Sequence, residues 1–247
     1  MVELIFIGMI YESIIIIITI ILLILIFERY QFKKQRLTLI LFMIFLNLLL
    51  AIFFSWLAKI LVLYSGIDYI EDASVKDPGT PVSWILLRIS SFRISFVFVT
   101  VAAFYSYILK VNVFENEYHP IHKIIVVIYG VFTLIYSLVV YQKGINFLDI
   151  FAFLFVLIYM IIIYIPFLYR SLEVRKTTNI PIYRKAFLSL AIMSLCLILV
   201  FVNFLIDQII IFLGYPSYTI FYFAAWTCAV IAVLGAYLGY IRPKSRE

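Results

Sequence analysis

Residues 13–27 read SIIIIITIILLILIF, a run with no charge and no alternation of polar and apolar residues. A half-buried strand or a barrel wall would alternate, so neither fits. Helix rises 1.5 Å per residue, and roughly 20 residues cross a hydrocarbon core of about 30 Å. The run extends over 4–27 and meets that length. Six more segments do the same: 37–64, 83–109, 124–142, 146–169, 186–212 and 217–241. The 247 residues are 66% hydrophobic and 13% charged. A soluble domain is about half apolar and a quarter charged, so this excess needs lipid as its solvent. The expected fold is all-α, a polytopic bundle of seven transmembrane helices forming one domain over 1–247. It is placed in the cell membrane as a multi-pass protein whose first partner is the bilayer. The opening MVELIFIGMI lacks a basic region, so the first helix is expected to be retained.

The formal charge of +6 does not point to nucleic acid, because the basic residues sit in short connections rather than on one face. Fourteen Lys and Arg, from Arg29 through Arg170 to Arg246, fall on one side of the bundle, against Lys76 and Lys143 on the other. Cytoplasmic loops carry the excess, so the N-terminus is expected outside and the C-terminus inside. The longest outer connection, SGIDYIEDASVKDPGTP over 65–81, is acidic. Ser83 is expected to cap the third span, Asn146 with Asp149 the fifth, and Pro216 with Ser217 to open the seventh. An offset of 148 aligns Arg36 with Arg184, Ser55 with Asn203, Lys59 with Asp207 and Gly66 with Gly214, a weak sign of an internal repeat.

Ionisable groups inside spans are costly and point to function. Glu12, Lys59, Arg88, Arg93, Asp149 and Asp207 all fall in the outer half of the expected spans. Lys59 and Arg88 lie near span ends, where long stems snorkel to headgroups, and Asp149 suits a cap. Glu12, Arg93 and Asp207 are deeper, and Asn203 sits one turn from Asp207 on the same face. Arg93 is expected to pair with Glu12 or Asp207. Two readings stand for this set, a structural ion pair and a solvated, outward-opening ligand or ion site. Arg88 and Arg93 are five residues apart, roughly 140° around a straight helix, so only one is expected to face the interior. Tyr218, Tyr222 and Trp226 recur at four-residue spacing and either line a ligand pocket or pack between helices. The candidate ligand-binding set is therefore Glu12, Arg88, Arg93, Asn203, Asp207, Tyr218, Tyr222 and Trp226.

Gly235 and Gly239 form a GxxxG pair that suits close packing within the bundle, with homo-oligomerisation as the alternative. His119 and His122 are expected in a solvated loop, with no metal site. HExxH, phosphate-loop and GxSxG patterns are absent, so no enzymatic activity is expected.

Seven helices with this orientation resemble the rhodopsins and other seven-helix receptors. Retinal proteins hold their chromophore on a lysine of the last helix. Here that helix reads FYFAAWTCAVIAVLGAYLGY without a lysine, so no retinal and no other cofactor is expected. The third span ends FYSYILKVN, lacking the acidic-Arg-Tyr motif of eukaryotic receptors. The layout is also similar to the seven-helix sensor modules that precede histidine kinases, here without an attached kinase. Those resemblances imply a stand-alone membrane sensor or receptor-like protein that signals through a cytoplasmic protein. The alternatives are a small-solute or ion transporter of 3+1+3 type and an assembly subunit of a membrane complex. The inner half offers mainly Asn47, Thr100 and Ser106 as polar groups, which favours the sensor.

Overall fold

The computed structural model describes residues 2–71, 75–115 and 117–241. All regular structure among them is helical. The elements are α1 (Val2–Lys33), α2 (Arg36–Tyr64), α3 (Asp68–Glu71), α4 (Pro81–Ser90), α5 (Arg93–Phe114), α6 (Pro120–Val139), α7 (Asn146–Thr177), α8 (Pro181–Phe212) and α9 (Ile220–Ala236), closed by a π turn over Tyr237–Ile241. Seven of these helices, α1, α2 and α5–α9, are long and apolar enough to cross a membrane. The basic tail residues Arg242, Lys244 and Arg246 lie outside the described residues.

Consecutive spans pack side by side, and α9 returns to α1, so the chain closes a ring. We call the end where α1 begins the N-terminal pole and the end where α9 finishes the C-terminal pole. Helix α5 is the most enclosed span, with 61% of its apolar window buried, and α6 the least, with 22%. The composition of α6 explains its place. Ile121, Ile124, Ile128, Val131, Ile135 and Val139 follow helical spacing on an exposed apolar stripe. Its opposite face carries Gly130, Thr133 and Ser137. A Cβ on Gly130 would stand 2.7 Å from Tyr159 Oη, so only glycine admits α7 this closely. Helix α1 is apolar all round, yet one face at seven-residue register is buried: Ile5, Glu12, Ile15, Thr19, Leu22 and Ile26.

The third span is broken. Helix α4 stops at Ser90, and Phe92 takes a left-handed conformation (φ 62°) before α5 begins. The Ser90 and Ser91 hydroxyls both donate to the Leu87 carbonyl, so local side chains compete with the helix ladder there. Helix α5 then runs past residue 109 to Phe114 and carries Lys110, expected in the connection, as a buried residue bridged to Glu115 at 3.0 Å.

The caps differ from expectation at three places. Thr80 caps α4 and Ser83 is its capping-box partner, because Thr80 stands before Pro81 and reaches the Ser83 amide at 3.1 Å. Ile145 precedes α7 without a side-chain cap, leaving Asp149 free for another role. Thr219, not Ser217, caps α9 by accepting from the Phe221 amide at 3.2 Å.

Gly235 and Gly239 face α8, where added Cβ atoms would collide with the Ser189 carbonyl and the Leu190 side chain. The GxxxG pair is thus used inside the bundle. His122 is not in a solvated loop. It lies on α6, its Nε2 is 3.2 Å from the Ile162 carbonyl, and its ring abuts Tyr107. His119 precedes α6 and is exposed. Helices α2 and α8 each end two residues before a left-handed glycine, Gly66 and Gly214, in keeping with the 148-residue offset. The α3–α4 insertion has no counterpart between α8 and α9.

Candidate functional site

Near the N-terminal pole, α1, α2 and α9 bring Glu12, Ser55, Lys59 and Tyr222 together. All four are buried. Glu12 Oε1 accepts three hydrogen bonds: from Ser55 Oγ at 2.6 Å, Lys59 Nζ at 2.8 Å and Tyr222 Oη at 2.8 Å. Glu12 Oε2 is buried and has no partner among the described residues. Lys59 also donates to the Ser55 carbonyl at 3.2 Å. Its ammonium lies 5.0 Å from the Phe92 ring, 5.3 Å from Tyr222 and 5.7 Å from Tyr218, within cation–π range of all three. Gly8 lets Tyr222 reach this cluster, since a Cβ there would stand 3.2 Å from the ring.

Lys59 therefore does not snorkel. It is 1% exposed and pairs with Glu12 on the neighbouring helix at 2.8 Å. Nor does Glu12 pair with Arg93. The Arg93 guanidinium is fully buried and binds Asp149 Oδ1 through Nη2 at 2.7 Å and Nε at 3.1 Å. The break at Phe92 starts α5 afresh and directs Arg93 toward α7, where uncapped Asp149 is available.

Arg88 lies in the same second cluster. It is 6% exposed, donates to the Leu138 carbonyl at 2.5 Å and the Trp84 carbonyl at 3.1 Å, and stacks 3.8 Å from the Trp84 ring. Both guanidinium groups face Tyr141, at 5.4 Å for Arg88 and 5.7 Å for Arg93. The expectation that they point apart assumed a straight helix, and the helix is not straight.

Beside the first cluster the bundle encloses a cavity of about 320 Å³. Its walls are mostly apolar and aromatic. Phe92, Phe204, Tyr218, Tyr222 and Trp226 line it, with Ser55, Ser95 and Asp207 among the polar groups. Tyr218 reaches it from the loop before α9, held by a left-handed backbone (φ 64°), and meets Tyr222 edge-on at 4.8 Å. Asp207 Oδ1 accepts from the Thr219 amide at 3.0 Å and the Thr219 hydroxyl at 2.6 Å. Asn203 is off the cavity, its Nδ2 bonded to the Leu199 carbonyl at 2.7 Å.

Of the eight candidates, Asp207, Tyr218, Tyr222 and Trp226 line one cavity, and Glu12 lies behind it, bonded to two lining residues. Arg88 and Arg93 form a separate cluster, and Asn203 serves its own helix. Sequence reasoning missed Ser55 and Phe92, and it singled out Lys59 but set it at the headgroups. Ser55 and Lys59 are four apart and so share a helix face, which was a usable signal. Nothing marks Phe92 among the chain's 24 phenylalanines.

A second cavity, about 260 Å³, opens at the C-terminal pole and includes Arg29, Thr38, Tyr183 and Tyr240 in its lining. The two cavities are separated by seven residues on each of three helices, from Thr19 to Ile26, Leu48 to Leu41 and Leu197 to Leu190, or about 10 Å. Leu22, Leu23, Ile44, Phe45 and Met193 are buried in that interval, together with two polar side chains, Asn47 and Ser194, which bond the Met43 and Leu190 carbonyls of their own helices. Comparison with protein-family models, with curated proteins and with solved structures found no match to this chain.

Proposed function

We propose that this protein is a receptor-like membrane sensor that takes a small ligand into the cavity at the N-terminal pole, without catalysis. The observation that carries the reading is the cavity itself: about 320 Å³ inside a seven-helix ring, walled by aromatics with a few polar groups. That size and lining suit a small organic molecule. The layer below it is mainly apolar, and its polar groups Asn47 and Ser194 are bonded within their own helices, which supports sensing over transport. The strong Lys and Arg bias supports a reading with the N-terminal pole outside and a signalling face, with its protein partner, in the cytoplasm.

Two experiments test this. With Cys196 and Cys228 replaced by alanine, Lys76→Cys should react with an impermeant maleimide on intact cells and Thr178→Cys should not. The opposite pattern overturns the orientation. For the site, 4-phenylbutanol should change Trp fluorescence and raise the unfolding temperature of purified protein, since Trp226 lines the cavity. Ala229→Phe, which fills the cavity, should abolish both effects in a protein that still unfolds cooperatively. Retained binding would place the alcohol elsewhere.

The second cavity favours one alternative, a transporter in which the two chambers open in turn. Ligand-driven steady currents from protein adsorbed on a solid-supported membrane would replace the sensor with this reading.

A further inference from the structure

Three acidic side chains lie in the membrane-embedded part of the N-terminal pole, and two have a cation. Glu12 holds Lys59 at 2.8 Å and Asp149 holds Arg93 at 2.7 Å. Asp207 differs. Among the described residues no Lys, Arg or His nitrogen lies within 4.0 Å of its carboxylate. Thr219 occupies Oδ1 alone, and Oδ2 takes no hydrogen bond from the described protein. The residue is 3% exposed and lines the cavity. A carboxylate in an apolar setting without a counter-charge is expensive, so the site calls for a cation from elsewhere.

The walls specify which cation. A metal ion wants a shell of several oxygens, and among the described residues no group of three His, Cys, Asp or Glu side chains converges. The cavity instead presents aromatic rings. Phe92, Tyr218 and Tyr222 line it, and the same three rings surround the Lys59 ammonium at 5.0–5.7 Å. Three of the cavity's rings thus already accept one alkylammonium group, that of Lys59, so the wall is compatible with organic cations. Lys59 is neutralised by Glu12, so the cavity's net formal charge is that of Asp207.

We infer that the ligand is an organic cation, an amine or quaternary ammonium with an apolar body, whose charged head pairs with Asp207 while its body fills the aromatic cavity. This deepens the sensor reading and rests on it.

The test uses three probes that share one apolar body, 4-phenylbutylamine, 4-phenylbutanol and 4-phenylbutyrate, with full-length protein in nanodiscs of zwitterionic lipid, read by Trp fluorescence at neutral pH. The amine should bind at least about tenfold tighter than the alcohol, and the carboxylate weakest. Asp207→Asn keeps an oxygen for Thr219 and removes the charge. It should erase the amine's advantage over the alcohol. Thr219→Val removes the hydroxyl contact and keeps the charge, so it should preserve the amine preference even if it lowers stability. Equal binding of amine and alcohol, or an amine preference that survives Asp207→Asn, overturns the organic-cation assignment while the cavity reading stands. Failure of all three probes to bind overturns the cavity reading itself, and this inference with it.

Discussion

Two ion pairs sit near the same pole of this bundle, and they are built differently. Glu12–Lys59 joins the first two spans and is buried at both ends, with side-chain exposure of 0% and 0%. Arg93–Asp149 joins α5 to α7, and its carboxylate side chain keeps 25% exposure. In the first pair a single oxygen accepts three donors, and water is shut out. In the second, the carboxylate still reaches the surface. Burial raises the cost of breaking a pair far more than it raises the worth of forming one. The difference therefore predicts unequal sensitivity to mutation at similar ion-pair distances.

The largest effect is expected at Lys59. Lys59→Met strands the Glu12 carboxylate among apolar groups and should cost about 3–5 kcal/mol of stability. Glu12→Gln combined with Lys59→Met removes both charges and should recover more than half of that loss. Thermal unfolding of the single and double variants in one detergent decides it. Strictly additive losses would mean that the two groups do not act as a pair.

Asp149→Asn comes next. Arg93 keeps an oxygen acceptor and the site keeps access to the surface, so the loss should be about 1–2 kcal/mol, in the range of one charged hydrogen bond. A loss as large as that of Lys59→Met would break the comparison and show that exposure at Asp149 does not moderate the cost. Arg170–Glu173 marks the lower end, with both side chains nearly half exposed. Arg170→Ala should cost no more than about 0.5 kcal/mol, within the usual range for surface pairs. A larger change in the same unfolding series would mean that exposure is not the controlling variable.

How much of this was legible in the sequence depends on what each residue competes against. The spans were readable because apolar runs of this length have no other stable setting, and the expected segments overlap every helix that is long and apolar enough to cross a membrane. The deep charges were readable one by one, since each interrupts an apolar run. Their partners were not. Helix α1 is so uniformly apolar that its lipid-facing and core-facing sides look alike, and nothing in the run marks Glu12 as facing α2. The pairing of Arg93 depended on the break at Phe92, whose one local signal is the Ser90–Ser91 pair. Straight-helix geometry across that break sent Arg88 and Arg93 to opposite sides. Tyr218, Tyr222 and Trp226 did converge on one cavity, although Tyr218 belongs to a loop rather than to the helix that the spacing implied.

The short span α6 has a further consequence, for the membrane rather than for the site. Its 20 residues amount to about 30 Å of helix, against about 48 Å for the 32 residues of α1, α7 and α8. The long helices absorb a change in bilayer thickness by tilting, or by drawing their polar ends in or out. Helix α6 has no such slack. A thicker bilayer must be dimpled beside its isoleucine stripe, at a cost of fractions of a kcal/mol per Å. Among the short spans α6 is the least buried, so the bilayer bears most of that elastic strain on its side.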